Sequence, residues 1–166
     1  MKKLMNGAQM KRIDVYSIQE VGIPSLVLME RAALCVTEAV LEKIKKTDKV
    51  LCVCGSGNNG ADGMAVARQL TERGISAEVY TTAEEGKGTE ELNRQRAILQ
   101  KLGIVFVNDI PAGEYNCIID AVFGIGLSRT ITGRYEQIIE KINAAKDTGS
   151  LIVAVDTPSG INAGNG

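Results

Sequence analysis

Apolar residues along this chain alternate between two rhythms. Val50-Leu51-Cys52-Val53-Cys54 is an uninterrupted apolar run, as expected of a strand covered on both faces. Ala77–Thr82, Ile104–Val107, Cys117–Phe123 and Leu151–Val155 read as four further short strands. Between them the spacing lengthens to a helical period, which predicts helices from about Asp62 to Arg73, over Glu90–Leu102 and over Arg134–Ala145. Two more helices precede the first strand. One is a loose pattern over 7–20. The other is opened by Pro24-Ser25 and carries Met29, Ala32, Ala33, Val36, Val40 and Ile44 on one stripe.

Strands that alternate with helices through short turns argue for an α/β fold: a three-layer αβα sandwich around a Rossmann-like, doubly wound, mainly parallel sheet. The expected strand order is 3-2-1-4-5. In that order the winding reverses between the first and fourth strands, so the turns after strands one, four and five share the carboxyl rim, where such sheets bind ligands. Those turns are Gly55-Ser56-Gly57-Asn58-Asn59-Gly60-Ala61-Asp62-Gly63, Asp120-Ala121-Val122-Phe123-Gly124-Ile125-Gly126-Leu127 and Asp156-Thr157-Pro158-Ser159-Gly160.

Length and charge narrow the picture. At 166 residues, 45% of them hydrophobic, the chain suits one domain, 1–166, with a substantial core. Nineteen basic and twenty acidic residues sit without a single-sign block, which favours a small-molecule partner over nucleic acid or a membrane surface. No leader or membrane-length run is visible, so a cytoplasmic location is expected. The sequence stops at Gly164-Asn165-Gly166 with no further strand, and so reads as cut short. Cys35, Cys52, Cys54 and Cys117 lack C-x-x-C spacing and read as structural thiols. There is no histidine, so proton transfer near neutrality falls to a carboxylate, Lys, Tyr, Cys or water.

The first turn satisfies G-x-G-x-x-G after a strand and before a helix, which raises a hydride-transferring Rossmann oxidoreductase. Such an enzyme needs an acidic residue at the tip of the second strand for the ribose, and here that tip is Thr81-Thr82. The polar Asn58, Asn59 and Asp62 suit instead a phosphate cradle of backbone N–H groups with selective side chains added. A carboxylate such as Asp120, entering an apolar run, requires a partner or a cation. Ser159 has no histidine to complete a triad and sits in no G-x-S-x-G elbow, so it is not read as a nucleophile. The oxygen-bearing Asn59, Asp120 and Ser159 suit a hard cation, and a single carboxylate among them suits a monovalent ion better than Mg²⁺.

With these residues the resemblance becomes specific. The chain resembles the NAD(P)H-hydrate epimerase family, also called the YjeF N-terminal domain, whose pattern runs G-x-G-N-N-G-G-D-G, D-A-x-F-G-T-G-L and D-x-P-S-G, each after a strand. All three recur in order, and Leu28-Met29-Glu30-Arg31-Ala32 resembles the family's N-terminal helix. Ala61 stands where the family has a second glycine, and Ile125 where it has a threonine. The resemblance implies epimerisation of hydrated NADH and NADPH (NADHX and NADPHX) between their R and S forms. Carried over by position, Asn58, Asn59, Gly60, Ala61, Asp62, Gly124, Ile125, Gly126, Leu127, Ser128, Arg129, Thr130 and Asp156 would bind the hydrate. Asn59, Asp120 and Ser159 would hold one K⁺ per subunit, and Asp156 would be the acid–base catalyst. A homodimer and a fused or separate ADP/ATP-dependent NAD(P)H-hydrate dehydratase are the implied partners. The alternative is a non-catalytic nucleotide-binding or scaffold module on the same fold.

Overall fold

In the computed structural model, which describes residues 5–127 and 130–161, five helices and five strands follow one another. They are α1 (Gly7–Gln19), α2 (Ser25–Leu41), β1 (Lys49–Cys54), α3 (Asn58–Glu72), β2 (Ser76–Thr81), α4 (Glu90–Lys101), β3 (Phe106–Val107), β4 (Cys117–Ala121), α5 (Arg134–Asp147) and β5 (Leu151–Ala154). The sheet is parallel in order β3-β2-β1-β4-β5, as the alternation of elements predicts. The winding reverses between β1 and β4, whose register pairs Val53 with Asp120 and Cys54 with Ala121.

The period of two along each strand sorts side chains into two cores. Val50, Cys52 and Cys54 of β1 face a core built with α2, α3 and α4, while Leu51 and Val53 face Ile138, Ile142 and Ala145 of α5. β1 is buried on both faces, which explains its unbroken apolar run. Cys52, Cys54 and Cys117 are buried free thiols. Glu30 of α2 ties the first layer together by accepting hydrogen bonds from Arg68 and Gln69 of α3 and Gln95 of α4. Burial pushes its carboxyl up, but Arg68, with Gln69 and Gln95, outweighs that and holds it below the usual range.

Three of the boundaries that differ from the sequence expectation have a local physical cause. The helix expected from about Asp62 begins at Asn58, because Gly57, extended at φ −102° and ψ −168°, serves as its N-cap and the glycine turn shrinks to Gly55–Gly57. β4 stops at Ala121 rather than Phe123, because the Val122 N–H leaves the ladder for Asp120 Oδ1 at 3.2 Å. β3 keeps only Phe106 and Val107, since Ile104 N–H is taken by Leu99 O at the end of α4.

Candidate active site

Close backbone approach at the carboxyl rim comes first, since it sets where side chains can go. A Cβ on Gly55 would overlap the carbonyl of Val122, and one on Gly60 would overlap the carbonyl of Gly55. The start of α3 is thereby pressed onto the ends of β1 and β4. Gly63 lies against the Ala121 methyl and Cys54 Sγ, continuing the contact one turn further. These glycines bring the first and second motifs together.

Hydrogen bonds join the second motif to the third. Asp120, on β4 and buried, accepts from Ser159 N–H at 2.7 Å and from Ser159 Oγ at 2.6 Å. Ser159 Oγ in turn accepts from Phe123 N–H at 2.9 Å. Two residues on, Ile125 N–H donates to Asp156 Oδ2 at 2.7 Å. Gly124 is enclosed between these bonds. A Cβ there would stand 2.6 Å from Asp156 Oδ2 and 3.4 Å from the Asn59 amide, so only glycine lets Asp156 and Asn59 share this corner.

The result is a cleft of ≈ 780 Å³ across the winding reversal. Of the expected substrate residues, Asn58, Asn59, Asp62, Gly124–Leu127 and Asp156 line it. Gly60 and Ala61 lie beneath it, and Ala61 is fully buried with its N–H bonded to Gly57 O. Thr130 is exposed and is not among the lining residues, while Ser128 and Arg129 lie outside the described residues. Asp120 and Ser159 form the underpinning rather than the lining.

Sequence reasoning missed the roof of the cleft, which α1 and α2 supply through Met10, Asp14 and Ala32, and the Thr89 that closes one end. Thr89 carries a readable signal, since it caps α4 by accepting from Leu92 N–H. Asp14 carries none, because α1 buries no residue and its weak periodicity gives no direction. The tip of β2 carries Thr81 and, just past it, the buried Thr82, and neither offers the carboxylate a ribose would need.

Electrostatically the wall is carboxylate-rich. Asp62 is half-buried on α3, and desolvation, then the charges of Asp156 and Asp14, push its carboxyl up to about 7. Asn59 Nδ2 is buried without a partner among the described residues. The expected K⁺ ligands fit on donor chemistry. Asp120 accepts three hydrogen bonds, leaving one of its roughly four acceptor directions. Ser159 Oγ also lies 3.5 Å from the Phe123 carbonyl, giving an all-oxygen cluster with one carboxylate. Among the described residues no three His, Cys, Asp or Glu side chains gather as a metal-binding group.

Comparison with known proteins agrees with this fold. The sequence profile described as "YjeF-related protein N-terminus" matches residues 25–166. The NAD(P)H-hydrate epimerase of Oenococcus oeni is 41% identical over 164 residues, covering 98% of this chain and 77% of that protein. The protein of the same name from Limosilactobacillus fermentum is 40% identical over 167 residues, with 99% and 78% covered. A crystal structure of a yeast protein superposes with a TM-score of 0.88 over 99% of this chain and 74% of that one; at 24% identity it speaks to the fold. A matched domain profile and this level of identity lead to one assignment: the chain belongs to the NAD(P)H-hydrate epimerase family and matches its YjeF-related N-terminal domain.

Proposed function

We infer that this protein is an isomerase that interconverts the R and S forms of hydrated NADH and NADPH, a repair reaction on damaged nicotinamide cofactors. The observation that carries the reading is the meeting of Asn59, Gly124 and Asp156 at one corner of a cleft whose substrate-sized volume lies at the reversal of the sheet. The names of the relatives agree with it.

The chemistry matches the residue inventory. In the hydrate the hydroxylated ring carbon is bonded to the ring nitrogen, whose lone pair assists loss of the hydroxyl as water. The planar cation that remains accepts water on either face. Such a reaction needs a proton source and negative charge near the ring, and no redox group. Asp156, whose Oδ2 accepts from Ile125 N–H, would supply the negative charge that faces the cation. The α3 N-terminus and the backbone of Gly124–Leu127 are suited to the phosphates and sugar.

K⁺ would be held by Asn59, Asp120 and Ser159. When bound, it would supply a fixed positive charge that orders the rim and offsets Asp120. A homodimer is supported by Met5 and α1, which buries none of its residues and leaves Met10, Ile13, Val15, Tyr16 and Ile18 exposed. An ADP/ATP-dependent dehydratase, fused or separate, is the companion enzyme this activity serves. Among the described residues no helix is long and apolar enough to cross a membrane, and we place the protein in the cytoplasm.

The decisive experiment incubates purified protein with R-NADHX and follows R/S interconversion by chromatography. Acceleration over the spontaneous rate is expected. A folded sample without acceleration removes the reading.

A further inference from the structure

We propose that Asp62 carries the proton of the epimerisation while Asp156 carries the negative charge that faces the cation. This division of labour rests on the function proposed above.

The two carboxylates line one cleft but have different partners. Asp156 is exposed at its mouth and its Oδ2 accepts the Ile125 N–H at 2.7 Å. Asp62 is half-buried one turn into α3, and among the described residues no hydrogen-bond donor meets it. The titratable groups around it offer no compensation: Asp14 faces it from α1, Asp156 from the turn after β5, and the Cys54 thiol lies at the end of β1. Two carboxylates in one partly desolvated wall do not both ionise cheaply, and the one without a donor keeps the proton. Burial, then Asp156 and Asp14, raise Asp62 to about 7, where a group gives and takes a proton with comparable ease.

The step balances. The carbon–oxygen bond breaks with its electron pair on oxygen, the Asp62 carboxyl supplies the proton, and water leaves. The ring-nitrogen lone pair fills the vacancy on carbon. In the return, a water oxygen forms the new carbon–oxygen bond on either face of the ring, and the Asp62 carboxylate takes the released proton. Nothing is oxidised or reduced.

The test combines a titration with kinetics. In protein labelled at aspartate carboxyl carbons, the Asp62 signal should titrate near pH 7 and move lower in Asp156→Asn. A midpoint in the ordinary range, about 4, overturns the proposal whatever the activity. For wild type, kcat/KM for R-NADHX, corrected for the spontaneous rate, should fall as pH rises through about 7, because the protonated form starts the reaction. Asp62→Asn should lose about 10²–10⁴-fold in kcat with KM changed only a few-fold, and should lose that pH limb. Active wild type with an equally active Asp62→Asn overturns this assignment alone. Inactive, folded wild type overturns the epimerase reading and the assignment with it.

Discussion

Ser159 clasps Asp120 across 39 residues of chain, its N–H on Oδ2 and its hydroxyl on Oδ1. The same hydroxyl accepts Phe123 N–H, so one side chain serves a buried carboxylate and the loop that carries Gly124. Removing it leaves a buried anion under-solvated and an amide without its partner. Ser159→Ala should therefore cost about 1–3 kcal/mol in urea unfolding at unchanged m-value. An unshifted midpoint would show that the clasp is replaced by solvent.

The proposed cation gives a readout independent of catalysis. A ligand that binds only the folded state stabilises it by mass action. Wild type should melt higher in KCl than in tetramethylammonium chloride at equal ionic strength, and Asp120→Asn should lose that difference. Equal melting temperatures for wild type would remove K⁺ from this site.

Two glycines only three residues apart should behave oppositely. A methyl at Gly60 overlaps the Gly55 carbonyl, whereas Gly57 has open space around its Cβ position and negative φ. Gly60→Ala should destabilise by more than about 2 kcal/mol, and Gly57→Ala by less than about 1 kcal/mol. Similar melting curves for the two would mean the rim is looser than its contacts indicate.

Asp156→Asn should keep the fold, since the exposed side chain retains an oxygen for Ile125 N–H, yet lose about 10²–10⁴-fold in epimerisation. Gly124→Ala should mimic it, because the new methyl stands 2.6 Å from Asp156 Oδ2. Wild-type turnover in Asp156→Asn would place the negative charge elsewhere.

Stability should carry the signature of Asp62 as well. Its folded-state pKa, about 7, lies above that of the unfolded chain, so the stability it contributes is complete below about pH 4 and is lost as pH rises through 7. Asp62→Asn does not titrate. Its melting temperature should therefore gain on wild type by several degrees between pH 5 and pH 8, with water at the cleft mouth reducing the effect. A constant gap would place Asp62 in a solvated setting.

Much of this was legible before folding was considered in three dimensions. Strand order followed from helices alternating with strands, because right-handed crossovers leave few alternatives, and that order alone sends the turns after β1, β4 and β5 to one rim. The three motifs drew Asn59, Asp120, Asp156 and Ser159 into one neighbourhood because spacing after a strand is a local property. Local pattern failed where the answer depended on depth. Asn58 and Ala61 sit three positions apart in one motif, yet Asn58 lines the cleft while Ala61 is fully buried.

By itself, the sequence determined the layers, the winding and the rim where chemistry collects, since periodicity and turn residues act over a few positions. Only the tertiary structure decided that Asp14 would come across from a helix with no burial pattern of its own, and that Asp62, among the described residues, would lack the amide donor Asp156 has. Which carboxylate keeps a proton depends on desolvation and on charges brought close from distant segments. Those are properties of assembled space, and no stretch of the chain contains them.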